Sequence, residues 1–231
     1  MVADWKSFWD GAHSIYVNDR HKDVHYQTIA EQIAEFVPDK TARVLDFGCG
    51  EALHANLVAS AASEVVLSDS ADTVRAAIAR RFADNPRIKV FSPKEVEALP
   101  DKSFELIVAN SVVQYLTPAE LDYLLALWRR LLAPAGTLIV ADVIPPDVGK
   151  FSDVVALFRL AASHGFLLGA LAGLARTAIS PYRKLRSTLG IAQYTEADFV
   201  AKLATAGYRA ERLQRNLEHN PARMTFRASA A

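Results

Sequence analysis

The segment RVLDFGCGEALHA, residues 43–55, places a carboxylate and two glycines directly after a short apolar run. Asp46 lies two residues before Gly48, and Gly50 lies two residues after Gly48. Glycine allows positive φ and a close approach of the backbone to a ligand. The N–H groups that begin a helix add hydrogen-bond donors and a partial positive charge. This spacing predicts a ligand-binding loop, with a tight turn that binds nothing as the structural alternative.

Two kinds of ligand compete for this loop. A dinucleotide-binding fingerprint requires a third glycine where the sequence has Leu53, and the sequence contains no Gly-Lys-Ser/Thr segment of a triphosphate loop. Asp46 would also repel a pyrophosphate, at a cost on the order of a kcal/mol or more in a partly buried site. An acid at this position is better suited to a cation, and S-adenosylmethionine supplies both an ammonium and a sulfonium group.

The pattern D-x-G-x-G-x-A, from Asp46 to Ala52, resembles motif I of the class I S-adenosylmethionine-dependent methyltransferases. Members of that family often carry glycine at the last position, and Ala52 retains the small size. The resemblance implies that S-adenosylmethionine is the cofactor. It also implies that this loop contributes four residues to the cofactor site: Asp46, Gly48, Cys49 and Gly50.

A second acid follows in the order that the family shows. Asp69 ends the apolar run VVLSD, 19 residues after Gly50. The resemblance implies that its carboxylate binds both ribose hydroxyls, a pairing that two carboxylate oxygens suit. Ser70, the next residue, is included with it in the predicted cofactor site. Taken alone, Asp69 would also fit a solvated loop acid.

Two later segments complete the predicted cofactor site. The stretch KEVEALPDKSFELIVANS resembles the family's adenine-binding loop and the strand that follows it. Glu95, with Val96 next to it, occupies the position near the adenine amine that usually carries an aspartate. Asn110 and Ser111 end the following strand, where the family lines the methionine part of the cofactor.

The predicted acceptor side carries no obvious catalytic residue. Methyl transfer from a sulfonium depends mainly on alignment of the nucleophile with the methyl group, and a general base matters only for an acceptor that must lose a proton. Gln114 and Tyr115 follow the fourth predicted strand at the pocket rim, and Gln114 is expected to orient the acceptor by hydrogen bonds. The segment NSVVQY lacks the N/D-P-P-Y/F/W motif of adenine-N6 and glutamine methyltransferases, which disfavours such acceptors.

The amino-terminal segment is rich in histidine and tyrosine, and the corresponding segment of the family folds over the cofactor as a lid. His13 is the candidate general base, because an unperturbed histidine titrates near neutrality, and Tyr16 is expected to border the acceptor. A structurally satisfied histidine is the alternative for His13. His21 and His25, four residues apart on a predicted helix, could suit a metal ion. No third ligand has matching spacing, so no metal site is predicted.

These residues must be positioned by elements that alternate along the chain. Five short, nearly all-apolar runs are separated by helical segments, which predicts a parallel sheet covered on both faces. The fold class is therefore α/β and doubly wound, and the resemblance implies seven strands with the last one antiparallel. One domain of 231 residues is predicted. Its parts are a helical lid at 1–38, a cofactor-binding core at 40–146, a helical cap insertion at 151–190, and a terminal helix with a β-hairpin at 195–229.

The insertion at 151–190 is the most individual part of the sequence. It carries five Lys or Arg residues against one acid, Asp153, and its apolar run at 165–175 is far shorter than the ~20 residues of a membrane-spanning helix. We expect a helical cap over the acceptor pocket, with Tyr182 among the substrate-binding residues. An interfacial membrane anchor and a dimer contact are the alternatives.

The predicted acceptor is small and hydrophobic or lipid-like, and oxygen is favoured over nitrogen or carbon as the methylated atom.

Bulk properties bear on partners and location. Lys and Arg together number 26, as do Asp and Glu, so the formal net charge is zero and no nucleic-acid partner is expected. The single cysteine cannot form an internal disulfide, and the first residues lack a secretory signal pattern. A cytoplasmic monomer or homodimer is predicted, with peripheral membrane association left open. Two rivals remain, a non-catalytic S-adenosylmethionine-binding scaffold and an NAD-dependent oxidoreductase.

Overall fold

Seven strands form one mixed sheet in the computed structural model, which describes residues 5, 16–148, 150–167, 169–171 and 190–231. The strands, numbered in chain order, are β1 (Arg43–Phe47), β2 (Glu64–Ser68), β3 (Ile88–Phe91), β4 (Phe104–Asn110), β5 (Leu132–Val143), β6 (Tyr208–Arg212) and β7 (Met224–Ala230). Their order across the sheet is β3-β2-β1-β4-β5-β7-β6, and β7 runs antiparallel to both of its neighbours. The predicted α/β fold with an antiparallel last strand is confirmed.

Helices cover both faces of this sheet. Within the described residues they are α1 (Asp19–Phe36), α2 (Ala55–Ala61), α3 (Asp72–Arg81), α4 (Pro93–Glu97), α5 (Pro118–Leu131), α6 (Lys150–His164) and α7 (Glu196–Thr205). Thr117 and Thr195 cap α5 and α7, and each hydroxyl accepts the backbone N–H three residues later. Asn18 caps α1 by accepting a hydrogen bond from the His21 N–H, and α1 ends before Pro38.

Successive residues of β1 show how the sheet separates two cores. Val44 belongs to the core that contains Ile33 of α1 and Ile78 of α3, whereas Leu45 belongs to the core that contains Trp128 of α5. Neighbouring side chains of a strand point to opposite faces, and both of these are fully buried. Burial of each such side chain contributes roughly 1.5–3 kcal/mol. The two cores together fix the loops at the carboxyl ends of the strands.

The sheet reverses its winding direction between β1 and β4. The chain continues from β1 to β2 and β3 on one side, whereas β4 and β5 lie on the other side. Connections that leave β1 and β4 therefore diverge and form a crevice, the usual ligand site of an open α/β sheet. Asp46 of β1 pairs with Val108 of β4 near this end, so the predicted binding loop opens into the crevice.

β5 begins at Leu132, directly after α5, and includes Ala135 and Gly136. A register shift in the pairing of β4 with β5 accommodates them. A Cβ on Gly136 would lie 3.0 Å from the Phe104 carbonyl oxygen. This close approach of β4 explains the glycine at this position.

The first part of the predicted cap packs against the amino-terminal helix. Val17 and Val24 share a small core with Leu160 of α6 and with Phe166, which follows α6. This core is separate from the two cores of the sheet. It therefore joins the lid segment to the insertion.

Some predicted residues lie outside the described part of the chain. Residues 172–189 are among them, and with them Tyr182 and most of the insertion's basic residues. His13 also lies outside the described residues. Among the helices that the structure does describe, none is both long enough and apolar enough to cross a membrane.

Candidate active site

The loop after β1 has no room for a side chain at either glycine. Gly48 and Gly50 both have positive φ, +77° and +56°. A Cβ on Gly48 would overlap Cγ2 of Val112, and one on Gly50 would lie 2.6 Å from the Tyr26 hydroxyl oxygen. The two glycines therefore let the backbone of this loop pack directly against Val112, which follows β4, and against Tyr26 of α1.

The Asp69 carboxylate, after β2, is already oriented by backbone donors. Oδ2 accepts the Gly50 N–H at 3.0 Å, and Oδ1 accepts the Ala71 N–H at 2.9 Å. These two bonds use half of the roughly four acceptor positions of a carboxylate. Burial raises the pKa of Asp69, although both hydrogen bonds act in the opposite direction. Two acceptor positions in a fixed orientation suit a pair of adjacent hydroxyl donors.

Asp46 faces the same crevice from the end of β1. Burial, together with the neighbouring charge of Asp69, raises the pKa of Asp46 to about 7. Within the described residues, no Lys or Arg forms an ion pair with this carboxylate. The charge of Arg75 partly stabilises ionised Asp69, but two neighbouring carboxylates remain unfavourable in a buried site. This end of the crevice therefore favours a positively charged ligand.

A cavity of about 1830 Å³ covers the carboxyl ends of β1, β2 and β4. Pockets for one small ligand commonly measure about 300–1,000 Å³, so this cavity has room for two molecules side by side. Most of the residues that the sequence singles out line it: Tyr16, Asp46, Gly48, Cys49, Gly50, Asp69, Ser70, Asn110, Ser111, Gln114 and Tyr115. The structure therefore brings the predicted cofactor and acceptor residues to one cavity.

Glu95 and Val96 do not line this cavity. The Glu95 carboxylate accepts hydrogen bonds from the backbone N–H and the hydroxyl of Ser92, both at 2.7 Å, and so caps its own helix α4. Val96 is fully buried in the core. Ser92 and Pro93, which come directly after β3, line the cavity instead. The formation of α4 thus places Ser92, rather than Glu95, at the predicted adenine end.

Three residues with left-handed backbone meet near the carboxyl ends of β4 and β5. Ser111, Asp142 and Glu218 have φ values of +57°, +63° and +102°, and such conformations cost on the order of 1–3 kcal/mol each. The Ser111 hydroxyl lies 2.7 Å from Asp142 Oδ2 and 2.8 Å from Glu218 Oε1. One hydroxyl proton can serve only one carboxylate at a time. Burial and the nearby Glu218 charge raise the pKa of Asp142, which favours a further proton within this group.

Arg223 neutralises part of this group of acids. Its guanidinium donates hydrogen bonds to Asp142 and, at 2.9 Å, to Asp153 of α6. The side chains of Asp142 and Arg223 are only 2% and 15% exposed, so loss of either partner would leave a buried charge. The pair of bonds connects the end of β5 to the first helix of the insertion.

Two histidines face the other oxygen of Glu218. Nδ1 of His25 lies 3.9 Å and Nδ1 of His219 lies 4.0 Å from Glu218 Oε2. The His21 ring lies beside both, with ring centroids 6.5 and 6.2 Å away. Burial lowers the pKa values of His21 and His25 to about 4, so both imidazoles are neutral at pH 7. The sequence pairs His21 with His25, whereas the structure brings His25 together with Glu218 and His219.

Two buried amide side chains at the cavity have acceptors without partners. Asn110 donates its Nδ2–H to Glu218 Oε1 at 2.8 Å, but its Oδ1 has no hydrogen-bond partner among the described residues. Gln114 is 5% exposed, and its Oε1 likewise has none in the described part of the chain. An unsatisfied buried acceptor costs about 1–3 kcal/mol. Both oxygens are therefore suited to a donor on a bound molecule.

The sequence does not single out four residues that line the same cavity: Asp142, Glu218, His219 and Arg223. Asp142 lies within the mostly apolar run of β5, so its position does not suggest a site. The other three residues belong to the turn-rich connection between the last two strands. A concentration of Glu, His, Asn and Arg in one short loop is the signal that could have identified them. Nothing in that loop indicates which part of the sheet it approaches.

The family model of the methyltransferase domain matches residues 44–136. A probable S-adenosylmethionine-dependent methyltransferase of Mycobacterium tuberculosis is 35% identical over 99 residues, which are 42% of this chain and 32% of that protein. A ubiquinone biosynthesis O-methyltransferase of Sinorhizobium medicae is 25% identical over 154 residues, which are 62% of this chain and 60% of that protein. The chain thus spans less than two thirds of the length of these curated relatives.

A solved structure shows the same architecture. Magnesium protoporphyrin IX methyltransferase of Synechocystis PCC 6803, with bound S-adenosylhomocysteine, is similar with a TM-score of 0.60 and 16% sequence identity. The similarity covers 98% of this chain and 93% of that one. At this level of identity the similarity establishes the fold, and the details of the site rest on the residues described above.

Proposed function

Because the chain belongs to the class I S-adenosylmethionine-dependent methyltransferases, we propose that it transfers a methyl group to a small, hydrophobic or lipid-like acceptor. Oxygen is favoured over nitrogen or carbon as the receiving atom. One observation carries the proposal. Asp46 and Asp69 lie at the ends of neighbouring strands, beside a loop that has no room for a side chain at Gly48 or Gly50. A cationic nucleoside would satisfy both acids.

The residues present fit S-adenosylmethionine. Asp69 has two acceptor positions left for the ribose hydroxyls. Asp46 and the unpartnered Oδ1 of Asn110 offer acceptors for the ammonium group. Ser92 would border the adenine, since it lines the cavity directly after β3. When bound, the cofactor supplies a methyl group that its sulfonium has already activated.

The apolar part of the cavity wall supports a hydrophobic acceptor. Val154 and Leu157 of α6 line the cavity together with Val17 and with Ile29 of α1. Gln114 adds a buried acceptor without a partner among the described residues, which would orient a donor group of the acceptor molecule. Apolar walls with one or two placed polar groups align a substrate, and alignment is what an in-line transfer requires.

Oxygen as the receiving atom is supported by groups that could take up its proton. A hydroxyl acceptor must lose a proton before or during the attack. His25 and Glu218 line the cavity, with His25 Nδ1 3.9 Å from Glu218 Oε2. Similarity to a ubiquinone biosynthesis O-methyltransferase favours the same atom. His13, which lies outside the described residues, stays a predicted base.

A transfer assay tests this proposal. The full chain is incubated with methyl-labelled S-adenosylmethionine and a panel of small phenols, hydroxylated lipids and matched amines, and the hydroxyl compounds should be labelled first. Gln114→Ala should raise the KM for the acceptor more than it weakens cofactor binding. Binding of S-adenosylhomocysteine without labelling of any acceptor would indicate a non-catalytic module. Binding of NAD in its place would indicate an oxidoreductase, and either outcome contradicts the proposal.

A further inference from the structure

We propose that His25, Glu218 and His219 form a binding site for one divalent transition-metal ion on the wall of the cavity. Two imidazole nitrogens and one carboxylate oxygen suit Zn²⁺ or Fe²⁺, whereas Mg²⁺ and Ca²⁺ prefer oxygen ligands. The site follows from the geometry of these three residues alone. Any role of the ion in methyl transfer rests on the function proposed above.

The possible ligand atoms of the three side chains lie close together. Nδ1 of His25 and Nδ1 of His219 lie 3.9 and 4.0 Å from Glu218 Oε2, and one ligand atom of each residue lies within 4.8 Å of the other two. These separations are too long for hydrogen bonds. Ligand atoms of a tetrahedral zinc ion, with bonds of about 2.0–2.2 Å, lie roughly 3.4 Å apart. Small side-chain rotations would therefore complete the coordination.

Glu218 is held in the orientation that a metal ligand requires. Its Oε1 accepts hydrogen bonds from Asn110 Nδ2 and from the Ser111 hydroxyl, both at 2.8 Å. Oε2 is therefore the oxygen that faces the histidines. Hydrogen bonds to the non-coordinating atoms of a ligand are typical of metal sites, because they fix its orientation. Glu218 has a φ of +102°. This backbone conformation is strained for a residue other than glycine, and it places the Glu218 side chain toward the histidines.

The charges around these residues favour a divalent cation. Asp142, Asp153 and Glu218 contribute three carboxylates, and Arg223 forms ion pairs with the first two. The Glu218 side chain is 7% exposed, and no Lys or Arg of the described residues lies within ion-pair distance of it. The charge of Arg223 acts on Glu218 only from beyond ion-pair distance, and a metal ion would compensate this buried carboxylate directly.

An ion at this site would act on the acceptor molecule. Coordination lowers the pKa of a bound hydroxyl, and the three residues line the cavity that also holds the predicted cofactor residues. An acceptor oxygen bound to the ion would therefore be a stronger nucleophile at neutral pH. With His25 and Glu218 bound to the ion, the lowered pKa of the acceptor hydroxyl would replace direct proton uptake by these two residues.

Metal binding can be measured without an assay of activity. The full chain, freed of any affinity tag and treated with EDTA before dialysis, is titrated with ZnCl₂ by calorimetry and with CoCl₂ by absorption spectroscopy. We expect one site per chain and visible Co²⁺ bands of a low-coordinate nitrogen and oxygen site. His219→Ala and Glu218→Gln should each weaken binding at least about tenfold. His164→Ala removes an α6 histidine that does not line the cavity, and it should leave binding unchanged.

Titration with S-adenosylhomocysteine on the same samples separates this proposal from the proposed function. Retained S-adenosylhomocysteine affinity in His219→Ala shows that the fold is intact, and loss of Zn²⁺ in that variant supports the site. If the wild-type chain binds S-adenosylhomocysteine but neither Zn²⁺ nor Co²⁺, the metal site is overturned and the function stands. Equal metal affinity of His219→Ala and wild type also overturns it. Metal binding without S-adenosylhomocysteine binding supports the site and contradicts the function.

Discussion

Asn110 and Glu218 are joined by a hydrogen bond of 2.8 Å, although 108 residues separate them in the chain. Asn110 ends β4, where the cofactor site is predicted, and Glu218 belongs to the connection between β6 and β7. Asn110 is the donor, because an ionised carboxylate can only accept. The bond connects the cofactor side of the cavity to the side that carries the histidines.

Asn110→Asp should break this connection, because it places two carboxylates against each other. We expect the free energy of unfolding to fall by about 1–3 kcal/mol through the lost buried hydrogen bond and the like charges. Urea unfolding measures the change. The double variant Asn110→Asp/Glu218→Gln restores a donor and an acceptor and should recover most of the loss. Absence of any recovery would contradict the assigned bond.

Gly50→Ala tests the steric role of the loop after β1. The new Cβ would lie 2.6 Å from the Tyr26 hydroxyl oxygen at a φ of +56°, so we expect at least about tenfold weaker binding of S-adenosylhomocysteine and roughly 1–3 kcal/mol lower stability. Gly165→Ala is the matched control, since its φ is +75° but no atom lies within 4 Å of the new Cβ. Gly165→Ala should lose only the stability that the positive φ costs an alanine, and it should bind S-adenosylhomocysteine as the wild-type chain does. Equal losses in both variants would exclude a role for the Tyr26 contact.

The raised pKa of Asp46, about 7, predicts a pH dependence of cofactor binding. A ligand with an ammonium group favours the ionised carboxylate, so affinity should rise with pH and level off above about 7, with up to about a tenfold change per pH unit below. In the ligand-free chain the sign is opposite, because the folded state retains a proton that the unfolded state loses from its ordinary pKa of 3.8 upward. The free energy of unfolding should therefore decrease as pH rises through that window.

Calorimetry with S-adenosylhomocysteine at pH 6 and pH 8, in buffers of different ionisation enthalpy, checks the binding part of this prediction. Proton release should accompany binding at pH 6 and be absent at pH 8. Asp46→Asn should remove the difference. A pH dependence that persists in Asp46→Asn would assign it to another group.

Arg223→Met should be strongly destabilising. Asp142 and Asp153 would lose their shared cation, and the cost of an unpaired buried charge is roughly 3–5 kcal/mol. Arg227→Met is the matched control, because Arg227 pairs with Glu211 on the surface and is 51% exposed; we expect a change below about 1 kcal/mol there. Thermal or urea unfolding compares the two. If both variants lower the free energy of unfolding by a similar small amount, the ion pairs of Arg223 contribute little to stability.

The central sheet is predictable from the sequence because its strands are buried on both faces. The runs EVVLS of β2 and FELIVAN of β4 are nearly all apolar, and the strands lie where these runs predict. The binding loop is predictable for a related reason. A positive φ without room for Cβ restricts Gly48 and Gly50 to one residue type, so the constraint is visible in the sequence.

The acceptor side of the cavity is not predictable from local patterns. Glu218 and His219 reach His25 only because β7 pairs with β5 and carries its preceding loop back over the sheet. Glu95 illustrates the opposite case. The family resemblance implies a contact of Glu95 with the cofactor, but the Glu95 carboxylate accepts a local capping hydrogen bond from Ser92.

The central claim is that the loop at Gly48 and the acids Asp46 and Asp69 bind a cationic amino-acid nucleoside. Calorimetric titration of the full chain with S-adenosylhomocysteine, which keeps the ammonium group and the nucleoside of the cofactor, tests it most directly. We predict one site per chain, about 1–3 kcal/mol weaker in Asp69→Ala through lost charged hydrogen bonds, and unchanged in Asp101→Ala, which alters an exposed acid outside the cavity. No binding by the wild-type chain, or equal affinity in Asp69→Ala, would contradict the account.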